Sequence, residues 1–290
     1  MQPVVRPRRS ILYMPGSNAR ALEKGRVLPA DGLIFDLEDA VTPLEKVEAR
    51  NRVVQVLEQG GYGHREIIVR VNGLSTEWGA DDVMAIARTD AHAILIPKVE
   101  TAGMVQATDQ LMTAANASEG MAIWSMMETP LGMLHAEEIA QSSRRMQCFV
   151  MGTSDLAKDM HCAHTRERLP MITSLGLCML AARGYGLSIV DGVHLNLADD
   201  QGFAYACEQG RDMGFDGKTL IHPKTIEKAN EVFAPDEEEV SWSRRIIAAF
   251  DAAAVEGKGV VVVDGRLVEN LHVEAARQRM ALVQAIQRSK

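Results

Sequence analysis

The stretch Phe149-Val-Met-Gly-Thr-Ser-Asp-Leu-Ala-Lys158 contains the pattern that decides the fold. A short apolar run stops at Gly152, two hydroxyl residues form a turn, and Asp155 stands at the mouth of the turn before a helical segment. A buried strand whose carboxyl end delivers an acid into a loop is typical of the active sites of α/β enzymes. We therefore expect an α/β fold in which Asp155 belongs to the functional site.

The same pattern, a short apolar run followed by a polar turn and an amphipathic helix, repeats on both sides of this stretch. Each predicted strand is an unbroken apolar run, which indicates a parallel sheet covered on both faces. About eight such runs in 290 residues fit a closed (β/α)8 TIM barrel. The predicted strand segments are 10–14, 32–39, 66–71, 93–96, 121–127, 148–151, 187–191 and 217–221.

An open, doubly wound sheet is the rival arrangement for alternating strands and helices. Such sheets commonly bind phosphate groups through glycine-rich loops of the GxGxxG or GxxxxGK[ST] type. Neither loop occurs in the sequence, so we prefer the closed barrel.

The chain changes character after the eighth predicted strand. We predict a helix over residues 236–256, two apolar runs joined by Asp264-Gly265, and a last helix over residues 271–288. An Asp-Gly pair between apolar runs is a strong signal for a two-residue β-hairpin. A hairpin and helix at this point cannot belong to the barrel wall. We therefore divide the chain into a catalytic barrel, residues 1–234, and a lid or oligomerisation extension, residues 235–290.

The charge balance narrows the classes of partner. The chain carries a formal net charge of −8 at pH 7, and 47% of its residues are hydrophobic. Proteins that bind nucleic acids neutralise phosphates with clustered Lys and Arg, so this acidic balance argues against that class. No apolar run approaches the roughly 20 residues that span a bilayer, and no export signal follows Met1. We expect a cytoplasmic protein without nucleic-acid or membrane partners.

The cysteines lie far apart and form no CxxC pair, so we interpret them as free, buried thiols in a reducing compartment. Cys162 lies between His161 and His164, which raises the alternative of a soft-metal site. A zinc site needs a second cluster of ligands at suitable spacing, and none occurs, so we do not favour that alternative. The four positions are Cys148, Cys162, Cys178 and Cys207.

Polar residues follow the predicted strands, at the barrel rim where the active sites of this fold lie. Charged groups that converge on one rim are costly unless they pair or bind something. For any one of them, a structural salt bridge or a helix cap is an equally good interpretation, but the set as a whole favours a site. The rim residues are Asp36, Glu38, Asp39, Arg70, Asn72, Lys98, Glu128, Asp155, Asp191 and His222.

Glu128 and Asp155 stand apart within this set. Each follows an apolar strand directly, and the two strands are neighbours in the predicted barrel, so both carboxylates can reach a common point. Mg²⁺ is usually held by one or two carboxylates together with waters and substrate oxygens. The surroundings are poor in His and free of thiols, which favours a hard cation over zinc or copper. We therefore predict a magnesium site, with Mn²⁺ as an alternative occupant.

Five segments of the chain carry a family resemblance. They are Arg9-Ser-Ile-Leu-Tyr-Met-Pro-Gly-Ser-Asn18, Gly32-Leu-Ile-Phe-Asp-Leu-Glu-Asp-Ala-Val41, Val69-Arg-Val-Asn-Gly73, Met151-Gly-Thr-Ser-Asp-Leu-Ala157 and Gly217-Lys-Thr-Leu-Ile-His-Pro223. In this order they resemble the citrate lyase β-subunit-like family of the HpcH/HpaI aldolase group. That family includes malyl-CoA and citramalyl-CoA lyases, and the motifs cover nearly the whole chain.

The resemblance implies a Mg²⁺-dependent carbon-carbon lyase. Such an enzyme splits a 3-hydroxyacyl-CoA thioester, for example citramalyl-CoA or malyl-CoA, into an acyl-CoA and a 2-oxo acid, or runs the condensation. By motif match, Glu128 and Asp155 resemble the metal ligands, and Arg70 resembles the residue that grips the oxo acid and steadies the enolate. A metal beside a guanidinium suits this chemistry, because cleavage places negative charge on a thioester enolate oxygen.

The resemblance also implies roles for the residues around this centre. Asp36 and Glu38 join Arg70 in the predicted catalytic set. The substrate is expected to contact Arg70 together with Gly152, Thr153, Ser154 and Asp191.

Coenzyme A enters as part of the substrate, and its phosphates need cations near the first βα loop. Tyr13, Arg20 and Lys24 are the predicted coenzyme contacts. Arg20 and Lys24 lie one helical turn apart, and a solvated helix face explains these two residues equally well.

The C-terminal extension resembles the lid of malyl-CoA and citramalyl-CoA lyases, which carries an Asp after the hairpin and reaches over a neighbouring subunit's active site. The matching position here is Glu269. Glutamate can move a proton, but its extra methylene displaces the carboxylate, and about 1 Å of misplacement costs ~100-fold in rate. Glu269 is therefore a working acid-base variant, the mark of a changed reaction, or a surface acid at a helix start.

Two other functions stay open. One is the β subunit of citrate lyase, which acts on a citryl carrier-protein thioester inside a complex. The other is a non-catalytic barrel that binds metal and oxo acid without turnover. A lid of the family's kind implies a homotrimer or a hexamer. The acyl group, and whether a thioesterase step follows cleavage, stay undetermined by the sequence.

Overall fold

The computed structural model describes residues 5–255, 257 and 259–289. Eight parallel strands close into a barrel in the order of the chain, so the predicted (β/α)8 TIM barrel is confirmed. Each strand lies within three residues of its predicted position. The strands are β1 Ser10–Pro15, β2 Gly32–Asp36, β3 Glu66–Arg70, β4 Ala93–Ile96, β5 Ala122–Met127, β6 Met146–Met151, β7 Ser188–Asp191 and β8 Gly217–Leu220.

Helices connect the successive strands of the barrel. Among the described residues, no helix has the length and apolar character needed to cross a membrane. The barrel helices are α1 Ala19–Gly25, α2 Lys46–Gln59, α3 Gly79–Ile86, α4 Ala102–Ala114, α5 Pro130–Leu134, α6 Ala136–Ala140, α7 Thr153–Asp159, α8 Ile172–Gly184, α9 Asp200–Met213 and α10 Ile226–Val232. Short 3-10 turns cover Pro43–Glu45, Leu169–Met171 and Pro223–Thr225.

Alternate residues of the strands fill the barrel interior, because successive side chains of a strand point to opposite faces. Ile34 of β2, Ile68 of β3 and Trp124 of β5 belong to this apolar cluster. Beside the amino ends of the strands, the Arg8 guanidinium lies 4.9 Å from the Trp124 ring and donates to Glu66 Oε2 over 2.7 Å. The interior is therefore plugged at that end, and the carboxyl-end rim is left for a site.

A second compact unit is formed by residues 5–7 and by the chain from Val232 onward, and the barrel unit is Arg8–Glu231. The second unit contains the antiparallel hairpin between two long helices, and its small core includes Ile246, Val268 and Val273. The Asp264-Gly265 turn has φ values of 49° and 75°, as a two-residue hairpin turn requires. Its elements are α11 Glu237–Val255, β9 Val260–Val263, β10 Arg266–Glu269 and α12 Asn270–Arg288.

The hairpin-plus-helix extension is thus confirmed as an arrangement of elements. Its predicted use as a lid, and the functional division of the chain at residue 235, stay predictions. Residue 256, where the first helix of the extension was predicted to end, lies outside the described residues.

Candidate active site

The rim at the carboxyl ends of the strands brings most of the predicted site residues together. Asp36 and Arg70 end β2 and β3, and each follows a residue of the interior cluster by two positions. Because side chains alternate along a strand, both point toward the barrel axis. Glu128 follows Met126 of the same cluster by two positions. One arginine and two buried acids therefore share the inner rim.

The Arg70 guanidinium forms a bidentate ion pair with the Asp36 carboxylate. Its Nε donates to Asp36 Oδ1 over 2.7 Å and its Nη2 donates to Oδ2 over 2.6 Å. The backbone N–H groups of Glu38 and Ala40 donate to the same carboxylate. The Tyr13 ring packs against the guanidinium, with 5.0 Å between Arg70 Cζ and the ring centroid. These contacts fix the guanidinium plane and leave Nη1 directed at the rest of the rim.

Glu38 lies between two cations of the rim, Arg70 and Lys98. Glu38 Oε2 lies 2.8 Å from Arg70 Nη1, and Glu38 Oε1 lies 3.5 Å from Lys98 Nζ. Burial raises the pKa of Glu38, although Arg70 opposes the shift. The Lys98 side chain is 48% exposed, so its ammonium reaches solvent at the mouth of the site.

Glu128 is almost fully buried at the end of β5. Its Oε1 accepts a 2.8 Å hydrogen bond from the backbone N–H of Lys98. Burial raises the pKa of Glu128 to about 7, and Glu38 and Asp155 add to the rise, whereas the Lys98 N–H and Arg70 oppose it. Since burial and neighbouring acids both disfavour its ionised form, this carboxylate gains from a cation placed beside it.

Gly152 leaves the room that the Glu128 carboxylate occupies. A Cβ at residue 152 would overlap both Oε2 and Cβ of Glu128. The Gly152 N–H donates to the carbonyl oxygen of Met127 over 2.9 Å, which holds the loop after β6 against β5. A side chain at this point would therefore displace the predicted metal ligand.

Asp155 lies in the first turn of α7, directly after this loop. Its carboxylate is close enough to raise the pKa of both Glu128 and Lys98. Thr153 is buried in the same turn. The buried Ser154 hydroxyl has no hydrogen-bond partner in the part of the chain that the structure describes. This hydroxyl is therefore available to a water or to a ligand.

Glu128 and Asp155 together fit a hard divalent cation. Mg²⁺ takes one or two carboxylates and fills its octahedral shell with waters and substrate oxygens. The described residues contain no group of three or more His, Cys, Asp or Glu side chains that could hold a metal ion. A cation at this pair would therefore find no third ligand of these four types among the described residues, which leaves coordination positions for water and substrate oxygens.

Known proteins share the sequence and the fold that build this rim. The sequence profile of the HpcH/HpaI aldolase/citrate lyase family matches residues 9–223 of the chain. The chain belongs to this family. The match spans the eight barrel strands and every rim residue named above, so the resemblance seen in the five motifs is confirmed.

Individual relatives in the family include a thioesterase and lyases. A (3S)-malyl-CoA thioesterase from Cereibacter sphaeroides is 54% identical over 280 residues, which cover 97% of this chain and 96% of the relative. The citrate lyase β subunit of Escherichia coli strain K12 is 34% identical over 277 residues, 94% of this chain and 92% of that one. An L-malyl-CoA/β-methylmalyl-CoA lyase from Cereibacter sphaeroides is 34% identical over 298 aligned residues, 94% of each chain.

A crystal structure similar to this chain contains two of the predicted ligands, magnesium and coenzyme A. Protein CitE from Mycobacterium tuberculosis, in complex with magnesium, acetoacetate and coenzyme A, matches this chain with a TM-score of 0.76 and 25% identity. The match covers 94% of this chain and 97% of that one. A relative with this barrel therefore accommodates magnesium and coenzyme A.

The predicted coenzyme A contacts separate into two groups. Tyr13 lies inside the barrel, where its hydroxyl donates to Met126 Sδ over 3.2 Å, and burial raises its pKa. This position lets Tyr13 support the Arg70 guanidinium, and its contact with coenzyme A stays a prediction. Arg20 and Lys24 are exposed on α1, and their part in coenzyme A binding stays a prediction.

Asp191 does not face the interior of the barrel. Val190 belongs to the interior cluster, so the next residue points outward, toward the helices. Asp191 is fully buried there, and its two oxygens accept from Arg168 over 2.6 Å and from Lys218 over 2.7 Å. Burial disfavours its ionised form, but Lys218 and Arg168 outweigh burial and lower its pKa. We therefore correct its role from substrate binding to an ion-pair network behind β7 and β8.

Glu269 lies in the second unit, where β10 meets α12. Its side chain is exposed, and its backbone N–H donates to His272 Nδ1 over 3.0 Å. This position at a helix start fits a surface acid. Its role in proton transfer stays a prediction.

Sequence reasoning missed the lysine that braces the loop after β2. Lys46 Nζ donates to the carbonyl oxygens of Leu37 and Glu38 over 3.0 Å and 2.8 Å. Asn72 Nδ2 donates to the same Leu37 oxygen over 2.9 Å. The available signal was a lysine on the buried face of a helix, since Lys46 shares that face of α2 with Val53. These hydrogen bonds from Lys46 and Asn72 hold the loop after β2 so that Glu38 can contact Arg70.

Proposed function

We propose that this protein is a Mg²⁺-dependent enzyme that hydrolyses the thioester of a malyl-CoA-type 3-hydroxyacyl-CoA. The observation behind the proposal is that the Arg70 guanidinium and the carboxylates of Glu128 and Asp155 lie on the same rim of the barrel. Hydrolysis is favoured over carbon-carbon cleavage by the 54% identity with a (3S)-malyl-CoA thioesterase, compared with 34% for the L-malyl-CoA/β-methylmalyl-CoA lyase.

Glu128 and Asp155 would hold the cation. When bound, Mg²⁺ supplies Lewis-acid polarisation of the thioester carbonyl. The Lys98 N–H and the close contact with Gly152 keep the Glu128 carboxylate in one orientation. The site is therefore arranged before the substrate arrives, which is the condition for electrostatic catalysis.

Arg70 would stabilise the charge that develops on the thioester oxygen. Attack on the carbonyl carbon concentrates negative charge on that oxygen, and a positioned cation lowers the barrier for this step. Asp36 and Tyr13 hold the guanidinium in place. Burial lowers the pKa of Arg70, but Tyr13, Asp36 and Glu38 raise it by more, so the group stays charged.

Glu38 would move the proton. Its carboxylate lies beside Arg70 Nη1, and its raised pKa improves it as a general base near neutral pH. In the proposed reaction Glu38 takes a proton from the attacking water and returns it to the leaving sulfur of coenzyme A. The products are a hydroxy acid and free coenzyme A.

Carbon-carbon cleavage is the second candidate. The 34% identical L-malyl-CoA/β-methylmalyl-CoA lyase covers 94% of this chain, and Arg70 beside a divalent cation would equally stabilise a thioester enolate. Cleavage needs a group that removes the proton of the 3-hydroxyl, and Glu269 is the residue predicted from the sequence for that step.

The two reactions give different products from (3S)-malyl-CoA and Mg²⁺. Hydrolysis releases malate and one free thiol, whereas cleavage releases acetyl-CoA and glyoxylate without a free thiol. Thiol and glyoxylate should be measured in parallel, with acetyl-CoA as a second substrate. We expect thiol without glyoxylate. Glyoxylate without thiol supports the second candidate. Both products together indicate cleavage followed by hydrolysis if acetyl-CoA also releases thiol, and two parallel reactions of malyl-CoA if it does not. The absence of both contradicts either reaction.

Quaternary structure and location stay predictions. We propose a homotrimer or hexamer, in accordance with the lid interpretation of the second unit, and a cytoplasmic location. Sedimentation equilibrium of the purified chain tests the first, and a monomer at micromolar concentration would contradict it.

A further inference from the structure

A closed network of hydrogen bonds joins helices α2 and α3 to the loops after β2 and β3. Asn72 Nδ2 donates to the carbonyl oxygen of Leu37 over 2.9 Å and to Asp82 Oδ2 over 2.7 Å. Lys46 Nζ donates to the same Leu37 oxygen over 3.0 Å, and Arg50 Nη1 donates to Asp82 Oδ1 over 3.1 Å. Lys46 and Arg50 lie about one turn apart on α2, so the network closes through that helix.

Three side chains of this network are buried. Asp82 is 1% exposed, Asn72 2% and Lys46 7%. The Lys46 ammonium also lies 5.4 Å from the centroid of the Trp78 ring, a distance typical of a cation–π contact. Because water has little access to these groups, removal of one donor leaves a buried acceptor without a partner.

The backbone of Glu38 is held from both sides. Its N–H donates to Asp36 Oδ1 over 2.9 Å, and its carbonyl oxygen accepts from Lys46 Nζ over 2.8 Å. The preceding residue is fixed in the same way, since the Leu37 N–H donates to the carbonyl oxygen of Arg70 over 2.9 Å. The Glu38 carboxylate then lies 2.8 Å from Arg70 Nη1. Lys46 therefore ties the Glu38 main chain to α2.

We propose that Lys46 is a positioning residue, which sets the place of the Glu38 carboxylate relative to Arg70 and thereby the rate of proton transfer. The inference rests on the proposed function, in which Glu38 takes the proton of the attacking water. A general base must lie within hydrogen-bond reach of the proton that it removes, and about 1 Å of misplacement costs ~100-fold in rate. Loss of Lys46 should therefore lower kcat far more than it raises KM.

Two variants test the inference, and the chain offers a matched control. Lys46→Met removes the ammonium and keeps most of the length of the side chain, and Asp82→Asn weakens the network on α3 while Lys46 stays in place. The control is Arg65→Met. Arg65 is 8% exposed and also donates to two carbonyl oxygens, those of Leu28 and Tyr62, over 2.6 Å and 3.0 Å, but it precedes β3, at the amino end of the barrel.

With (3S)-malyl-CoA and Mg²⁺, Lys46→Met should lower kcat by about 10- to 100-fold and change KM by less than about threefold. Asp82→Asn should act in the same direction but less strongly, and it decides the question should Lys46→Met fail to fold. Arg65→Met should keep kcat and KM within about twofold of the wild type.

A second background separates positioning from a structural role. In Glu38→Gln the base is already absent, so Lys46→Met should lower kcat there by no more than about twofold, because a positioning residue acts through the residue that it positions. The same loss of kcat with and without Glu38 would indicate a purely structural role and overturn the proposal.

Hydrogen–deuterium exchange tests the inference without turnover. The amides of residues 37–41, most of which donate to the rim or within the loop, should exchange about tenfold faster in Lys46→Met and at the wild-type rate in Arg65→Met. A wild type that turns over no thioester, with this Lys46-dependent protection present, contradicts the proposed function alone. Turnover of (3S)-malyl-CoA by the wild type, with unchanged kcat or unchanged loop exchange in Lys46→Met, contradicts the inference alone.

Discussion

Asp36 and Arg70 face each other across β2 and β3 with both carboxylate oxygens bonded to the guanidinium, over 2.7 Å and 2.6 Å. The two residues are register partners at the ends of neighbouring strands. Their pairing is therefore set by the barrel itself, and not by a loop that can move. A lysine cannot reproduce this two-bond geometry.

Arg70→Lys should keep the positive charge at the rim and lose the bidentate contact with Asp36. We expect kcat to fall by about 100- to 1,000-fold, the usual effect of removing a donor from an oxyanion site, with a smaller change in KM. Steady-state kinetics on (3S)-malyl-CoA measures both. Arg277→Lys, in an exposed ion pair with Asp251, is the control. A kcat within twofold of the wild type would remove Arg70 from the catalytic set.

Glu128→Gln and Asp155→Asn should each weaken Mg²⁺ binding. A neutral amide keeps the shape of the carboxylate but removes the charge that a hard cation needs. Isothermal titration calorimetry should show at least a tenfold loss of affinity for each variant. Asp251→Asn, from the exposed pair with Arg277, should bind like the wild type. Unchanged affinity in the double variant would place the cation elsewhere.

Gly152→Ala should damage the metal site through its methyl group. That group would overlap the Glu128 carboxylate, so we expect weaker Mg²⁺ binding and a loss of about 1–3 kcal/mol in the free energy of unfolding, as overpacking costs. The control is Gly176→Ala on α8, where a Cβ meets nothing within 4 Å. It should leave Mg²⁺ binding unchanged and gain about 0.5–1 kcal/mol, because alanine favours a helix. Indistinguishable urea-unfolding curves for the two variants would contradict this account.

Asp191→Asn should lower the free energy of unfolding of the barrel and leave its catalytic activity unchanged. Two cations, Lys218 and Arg168, would stay buried without their counter-charge, and breaking such a pair costs about 3–5 kcal/mol. Denaturant unfolding at pH 7 measures this loss. Under native conditions kcat and KM should stay near the wild-type values, and a raised KM with intact stability would restore the substrate-binding role.

The stability that Asp191 contributes should depend on pH in a defined direction. Its pKa is lowered in the folded state relative to an unfolded value of about 3.9. The contribution is therefore complete above about pH 4 and is lost as pH falls through the lowered folded value. The difference between the wild type and Asp191→Asn should shrink in acid, and a difference that grows below pH 4 would contradict the ion-pair assignment.

Thiol reactivity should distinguish one cysteine from the other three. Burial raises the pKa of Cys148, and it raises the pKa of Cys178 and of Cys207 to about 12, whereas Cys162 is partly exposed. The thiolate is the reactive form. A disulfide reagent at pH 8 should therefore label one thiol quickly in the native protein and four in guanidinium. Two or more fast thiols in the native protein would contradict the packing.

The strand positions follow from the sequence because each strand is a continuous apolar run closed by a polar residue. The hairpin turn followed from Asp264-Gly265 for a similar reason, since two successive positive φ values strongly favour such a pair. These signals are local, so a single sequence contains them.

The orientation of rim residues was harder to predict. A strand buried on both faces has no apolar/polar alternation, so its sequence does not say which way the last residue points. Asp36 and Asp191 both end apolar runs, yet Asp36 points inward and Asp191 points outward. The positive φ of Lys98 left no sequence signal either, because neither glycine nor asparagine marks the position.

The dependence of turnover on Mg²⁺ in the wild type and in Glu128→Gln tests the central claim most directly. The rate of (3S)-malyl-CoA consumption should rise from near zero in chelator to saturation with Mg²⁺ for the wild type, and stay near the chelator level for Glu128→Gln. Full turnover in chelator, or a Glu128→Gln curve that coincides with that of the wild type, would contradict a metal-assisted thioester chemistry at this rim.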